Sequence, residues 1–182
     1  MLLSLDISTS CTGYSLFDQN QLVKIGHVDL TKKEGLFEKS KHIKDELLKL
    51  KEAFNISHII VEENLQAFRP GLSSAKTLLT LAQFNGVVRW ICFENICASI
   101  ESINVNTARK SVGLKIDKSI TKTTKEQVLE WVSSDCQELH WPIKTVKSGR
   151  NKGQVIIDPV SYDMADSYVI GKAYYKINSE II

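Results

Sequence analysis

Three places in the chain hold acids where a hydrophobic core would not put them. Asp6 ends the apolar run Leu2-Leu3-Ser4-Leu5, and Glu62 ends the run His58-Ile59-Ile60-Val61. Asp163 and Asp166 lie three apart in a helical pattern. They share one face, where like charges repel unless something positive sits between them. A hard divalent cation such as Mg²⁺ takes carboxylate oxygens and water and would relieve that repulsion; two such ions about 4 Å apart activate a water and stabilise the leaving oxygen of a phosphodiester. Each acid also has a plainer reading: a strand-end aspartate as a turn residue, a pair near a helix start as an answer to the helix dipole.

The elements that must position these acids are legible in the hydrophobic pattern. Residues 2–7, about 13–18 and 21–29 read as short strands, with Asp18-Gln19-Asn20 as the turn between the second and third. Leu36, Ile43, Leu47, Leu50 and Phe54 recur at helical intervals among charges, predicting an amphipathic helix. Residues 58–61 then form a strand apolar on both faces, reached across a helix, as parallel strands of covered sheets are. Asp6 and Glu62 thereby fall at the C-terminal ends of strands, where open α/β sheets place ligand sites.

From 73 to 94 runs the longest helical pattern. Ala75, Leu78, Leu79, Ala82, Gly86 and Trp90 line one face, and Leu81, Val88 and Ile91 another. Such a helix is deeply buried or meets a partner subunit. A fifth strand is expected at 97–104, helices at 106–112 and 122–133, and a basic hairpin or loop from Thr145 to Ile157. A last helix starts at Asp158-Pro159, an N-cap followed by a first-turn proline, and runs to about Lys176. The order predicts a mixed α/β fold in a single domain, with no repeat, linker or low-complexity segment.

Composition narrows the function classes. The chain has 182 residues, 43% of them hydrophobic, and a net charge of only +2. No apolar run approaches the ~18 residues of a membrane span, and Asp6 interrupts the first apolar run too early for a signal-peptide core. A cytoplasmic protein, in a host cytoplasm if phage-encoded, is expected. Cys11, Cys92, Cys97 and Cys136 show no zinc-site spacing with one another or with the histidines, so reduced, mostly buried thiols are expected. The charge is unevenly spread. Residues 109–125 hold six Lys/Arg against one acid, and 144–152 hold four against none. Locally basic stretches on a nearly neutral protein suit a phosphate-backbone groove, or are solvated lysine-rich loops.

Several segments, taken in order, resemble one family. "LSLDISTSCTGYSLFD" looks like the opening hairpin of RuvC-type Holliday junction resolvases, a branch of the RNase H-like nucleases. "HIIVEENLQAF" resembles the family's strand ending in I-E-Q, and "TLAQFNGVV" its following helix. "ARKSVGLK", "TKEQV" and "DMADSYVIG" resemble its basic segment, its K-x-Q-V step and its terminal acidic helix. The resemblance spans most of residues 2–173 and fits a divergent phage or viral type of member.

The resemblance implies an RNase H-like α/β fold, a five-stranded mixed sheet flanked by helices. It implies that Asp6, Glu62, Asp163 and Asp166 hold two Mg²⁺ ions, with Mn²⁺ as a substitute, and that Glu62 serves rather than Glu63. It places Lys125 against phosphate near the scissile bond and Arg109 on backbone phosphate, with Lys110 and Lys122 as further DNA contacts. Phe68 would take the place of the junction wedge, because the family's aromatic position is Leu65 here. The partner implied is branched DNA, above all four-way junctions, cut symmetrically by a homodimer formed through helix 73–94. Two departures stand out: the stretch 116–124 lacks the family's glycines, and 137–157 has no counterpart. Ser8, Thr9, Ser10 and Thr12 are phosphate contacts or plain turn residues.

Two rival classes begin from the same residues. A module could bind branched DNA without cutting it, and single-lobe ATP-binding proteins of the actin, Hsp70 and sugar-kinase type also start with a strand, an Asp and a small-residue loop. The second leaves Asp163 and Asp166 without a role.

Overall fold

The computed structural model describes residues 1–63 and 75–179. Phe68 and Leu65 lie outside the described residues. Five strands form one mixed sheet in the order β3-β2-β1-β4-β5. They are β1 Leu2–Ile7, β2 Cys11–Asp18, β3 Gln21–Asp29, β4 His58–Glu62 and β5 Ile100–Ile103. β1 pairs antiparallel with β2 and parallel with β4, and β4 pairs parallel with β5. The expected α/β architecture and mixed sheet are present. No helix of the described residues is long and apolar enough to cross a membrane.

The β2–β3 turn is tight because Asp18 pairs with Gln21, leaving two central residues. Both of these, Gln19 and Asn20, have positive φ (46° and 67°). Two left-handed residues match the right-handed twist of the flanking strands.

The sheet is covered on both faces, and residue parity decides which side chain goes where. Leu3, Leu5, Ile7, Ile59 and Val61 point to a core shared with α1 (Gly35–Ala53) and α2 (Ala75–Ile91). Leu2 and Ile60 point to the other core, shared with α3 (Val105–Ser111), α4 (Thr124–Asp135) and α5 (Val160–Ser179). Asp6 and Glu62 have the parity of Leu2 and Ile60 and face α5. A π-helical turn, Cys92–Ile96, extends α2, and the fifth strand starts at residue 100 rather than 97 because Ser99 N–H turns back onto Cys97 Sγ (3.3 Å). The expected basic hairpin is real: β6 Ile143–Thr145 pairs antiparallel with β7 Val155–Ile157. The cysteines are free, Cys11 and Cys92 buried and the other two partly buried.

α5 lies unusually close to β1 and β2. Ser4 Oγ donates to the Ser167 carbonyl (2.8 Å), and Ser15 Oγ and Ser167 Oγ are 2.8 Å apart, all buried. A Cβ built on Gly13 would sit 2.0 Å from the Asp163 carbonyl oxygen, and one on Gly171 would sit 2.2 Å from the Phe17 ring. Hydroxyls and hydrogens fill this seam where larger side chains would hold the helix off. Since Gly13 pairs with Asp6 across β1 and β2, the seam sets how near the α5 acids come to the strand acids.

Overpacking against rigid backbone costs about 1–3 kcal/mol and at times more. Gly13→Ala should therefore lower the thermal midpoint by about 4–10 °C in calorimetry. A midpoint within 1–2 °C of wild type, roughly 0.5 kcal/mol, would show that α5 is not held by this contact.

Candidate active site

Asp6 ends β1 and Glu62 ends β4, and the parallel pairing Leu5↔Val61 brings the two side by side at the C-terminal edge of the sheet. α5 delivers Asp163 and Asp166 from its first two turns. A cleft of about 290 Å³ is lined by all four acids together with Glu63, Asn85, Arg109 and Lys125. Acids separated by up to 160 residues in sequence thus share one cleft, as the residue types alone could not establish.

The charges in the cleft are only partly balanced. Arg109 Nη2 lies 3.1 Å from Asp166 Oδ1, and Lys125 Nζ lies 3.3 Å from Asp163 Oδ1. These two cations supply the positive charge that the Asp163/Asp166 spacing requires. Burial, then the charges of Glu62, Asp166 and Asp163, push the Asp6 carboxyl well above the usual range. Glu62 is raised to about 7, by burial first and by Asp166 next. Burial also raises Asp166, against the opposing pull of Arg109. For Lys125, burial works to lower the value, but the charge and hydrogen bond of Asp163, with Asp166 and Asp6, outweigh it and leave the amine raised.

The donor set suits a hard cation. It is all oxygen and carboxylate-rich, and each ion pair engages one oxygen of its aspartate. The amide oxygen of Asn85 is buried without a hydrogen-bond partner and lies in the same cleft. A buried carbonyl oxygen left unpaired is costly, and a cation or its water would satisfy it. Among the described residues, no three His, Cys, Asp or Glu side chains already close around one point. The acids line one cleft without closing on a common point, and Arg109 and Lys125 each pair with one of them.

The remaining sequence candidates are placed as follows. Glu63 also lines the cleft, while its backbone N–H continues the sheet by donating to the Ile103 carbonyl (2.8 Å). Lys110 is exposed on α3 beside Arg109. Lys122 sits at the entry to α4 and pairs with Glu130 at 2.6 Å, away from the acids. The glycine-free stretch before Lys125 is shaped by Gln127 instead: its side chain accepts from Asp117 N–H (2.8 Å) and donates to the Asp117 and Lys122 carbonyls (2.8 and 3.0 Å). A Thr123/Glu126 capping box then starts α4 and fixes Lys125 in its first turn. Ser8 accepts from Cys11 N–H and donates to its carbonyl (3.1 and 2.6 Å), which is turn chemistry. Asn85 is the cleft residue that pattern reading missed; its signal was an amide on the face of α2 occupied by Phe84 and Val88.

Comparison with solved structures bears on the fold. No sequence-family model and no curated protein matches the chain. T. thermophilus RuvC in complex with a Holliday junction substrate superimposes with a TM-score of 0.66 at 14% identity, covering 98% of this chain and 94% of that one. The chain has the fold of RuvC. A second T. thermophilus RuvC structure gives 0.61 at 14% identity, over 98% and 95% of the two chains. The yeast mitochondrial Holliday junction resolvase Ydc2 gives 0.56 at 18% identity, over 99% and 79%. The fold resemblance read from six short motifs therefore holds over nearly the whole chain.

A carboxyl whose value is raised on folding adds stability below its ordinary pKa and loses it as pH climbs through the folded value. For Glu62 that window runs from 4.5 to about 7. In chelator-treated protein, the thermal midpoint should fall across this window, and Glu62→Gln should flatten the fall. At pH 7, Asp6→Asn should raise the midpoint by about 2–4 °C, worth about 1 kcal/mol, by removing a carboxyl whose ionisation burial and its neighbours oppose. Thermal scans against pH check both; a destabilised Asp6→Asn protein would contradict the strained-cluster reading.

Proposed function

We propose that the chain is a structure-selective endonuclease that resolves four-way DNA junctions, and other branched DNA, by metal-dependent hydrolysis. The observation that carries this reading is the convergence of Asp6, Glu62, Asp163 and Asp166, with two cations, at one edge of a RuvC-fold sheet. The residues that would hold Mg²⁺, or Mn²⁺ in its place, are these four acids. Bound there, the metal would lower the pKa of a water and stabilise the leaving oxygen of a phosphodiester. Asp6 and Glu62, fixed on strand ends, give the site its rigid half. Asp163 and Asp166 complete it from the helix.

Lys125 is exposed at the cleft mouth, at the first turn of a capped helix, and the neighbouring acids raise its pKa, favouring the ammonium form. It is placed to meet a phosphate oxygen. Arg109 Nε is buried without a partner, so its guanidinium keeps a donor for an anion beyond Asp166. Hydrolysis by this constellation would leave a 5′-phosphate and a 3′-hydroxyl, with no covalent nucleophile. A location in the cytoplasm, or a host's cytoplasm, and a single domain belong to the same proposal.

Paired incision of a nearly two-fold junction calls for two sites, hence a homodimer. α2 supports this. Its buried face carries Phe84, Val88 and Ile91, while Leu79, Trp90 and Phe93 of the adjoining turn are 65%, 61% and 55% exposed. Ala82 and Gly86 lie between them on the exposed stripe. Large apolar groups flanking small ones form a surface into which a second α2 can pack, and an exposed apolar patch of this kind marks an interface.

With a labelled four-way junction and Mg²⁺, the protein should make paired nicks, lost with chelator. Asp6→Asn should bind as wild type and cut at least ~10³-fold more slowly, about 4 kcal/mol of transition-state stabilisation. Junction binding by the wild type without any cutting would favour the binding module. ATP turnover without DNA binding would sink both DNA readings. Lys125→Ala should slow single-turnover cleavage more than it weakens binding; equal losses would contradict its role at the scissile phosphate.

Trp90→Glu should shift the sedimentation mass from dimer to monomer and replace paired nicks with uncoupled single ones. A monomeric wild type, or a dimeric variant, would remove α2 as the interface.

A further inference from the structure

The β6–β7 hairpin, residues 143–157, does nothing for the core. Ile143, Val155 and Ile157 are 68%, 62% and 43% exposed, and none belongs to either core cluster. Register puts Ile143 opposite Ile157 and Thr145 opposite Val155, so these four share one face of the ribbon; Lys144 and Ile156 share the other. Residues 144–157 hold four cations, Lys144, Lys147, Arg150 and Lys152, and no acid; Lys144 pairs with Asp158 at the root (3.5 Å).

The ribbon is built rather than trailing. Its root is tied by Asp158 N–H donating to the Pro142 carbonyl (2.8 Å) and by Trp141 Nε1 donating to Ser133 Oγ (2.8 Å). Its tip is closed by mutual bonds between Val146 and the 153–154 backbone (both 2.9 Å), with Gly149 and Gly153 at positive φ (82° and 89°). Lys147, Arg150 and Lys152 are therefore displayed on an ordered turn, with part of the ordering entropy already met on folding.

Its position joins it to the carboxylate cleft. A cavity of about 660 Å³ runs between the hairpin root and the β1–β2 turn, lined by Lys144, Asp158, Ser8, Lys125 and Asp163. Ser8, Lys125 and Asp163 also line the carboxylate cleft, so the two depressions are continuous. A polyanion threaded past Lys125 and out of the cleft on this side runs under the ribbon.

We propose that the β6–β7 hairpin is a second DNA-binding element: it grips the phosphate backbone of the duplex arm leaving the active site. This rests on the nuclease reading above and assigns a role to a segment that has no part in it. A two-stranded ribbon fits the major groove of duplex DNA. Lys147, Arg150 and Lys152 pair with phosphates at the tip, and the Ile143/Val155/Ile157 face lies against the groove wall. Because the charged contacts touch phosphate and not base edges, they add affinity on any sequence.

The test measures the junction dissociation constant of the full-length protein against salt, alongside cleavage by the wild type. Each phosphate neutralised contributes about 0.9 to the slope of log K against log salt. Replacing Lys147, Arg150 and Lys152 together by Ala should cut the slope by about 2–3 and weaken binding at least tenfold near ~150 mM salt. Replacing Lys41, Lys44 and Lys49 of α1, on the opposite side of the sheet, should leave the slope unchanged. A hairpin variant that keeps the full slope, while the wild type binds and cuts, overturns the hairpin's role alone. A wild type that neither binds nor cuts overturns the nuclease reading and this role with it. If Ile143→Ser with Val155→Ser changes the sedimentation mass and keeps the slope, the ribbon is a protein contact and the proposal fails.

Discussion

The seating of α5 on β1 and β2 is the constraint on which the site depends. Two acids are fixed by the sheet and two by the helix, so their distance is a packing distance. Gly13 and Gly171 remove the side chains that would hold the helix off, and Ser4, Ser15 and Ser167 fill the seam with small groups that hydrogen-bond to one another. Buried hydroxyls cost less than a cavity here because each finds a partner. Close packing of this kind transmits small displacements directly, since protein interiors do not compress. The chemistry at the sheet edge is thus set by residues that touch none of it.

That geometry opposes stability. Desolvated carboxylates that face one another raise each other's pKa, and the fold carries the cost locally while gaining it back from two cores on either side of the sheet. Clusters of mutually perturbed acids gather at functional sites for this reason. A purely structural role for four acids would have been served more cheaply by amides or by solvent exposure. The strand ends explain rigidity, and the unmet charge explains why the position still calls for a ligand.

Much of this was legible in the sequence, for physical reasons that differ by element. β1 and β4 announced themselves as apolar runs ending on an acid, and strand parity then fixed the direction in which Asp6 and Glu62 point. α5 was marked by Asp158-Pro159 at its start. The approach of α5 was not legible, because Gly13 reads equally as a turn glycine; only the Asp163 carbonyl beside it shows what the missing Cβ permits. Asn85 escaped because its helix is apolar on several sides, so an amide there looks like a simple interruption. The absence of glycine before Lys125 made that loop hard to shape from pattern alone, since the shape comes from three hydrogen bonds of one side chain, Gln127, ten residues from its partner Asp117.

Arg109 and Lys125 show how such a cluster can exist before any ligand arrives. A bidentate guanidinium would bind both oxygens of Asp166 and close the site, as fork-to-carboxylate pairs do. Here each cation takes a single Oδ1, at 3.1 and 3.3 Å, and Arg109 leaves Nε unpaired in the interior. Each is a single-point engagement, one at a half-buried arginine and one at an exposed lysine. They offset part of the repulsion among the acids, and they leave one donor on the arginine without a partner. A site that must take up both positive and negative groups cannot satisfy its own residues fully, and this one stops short of doing so on both signs of charge.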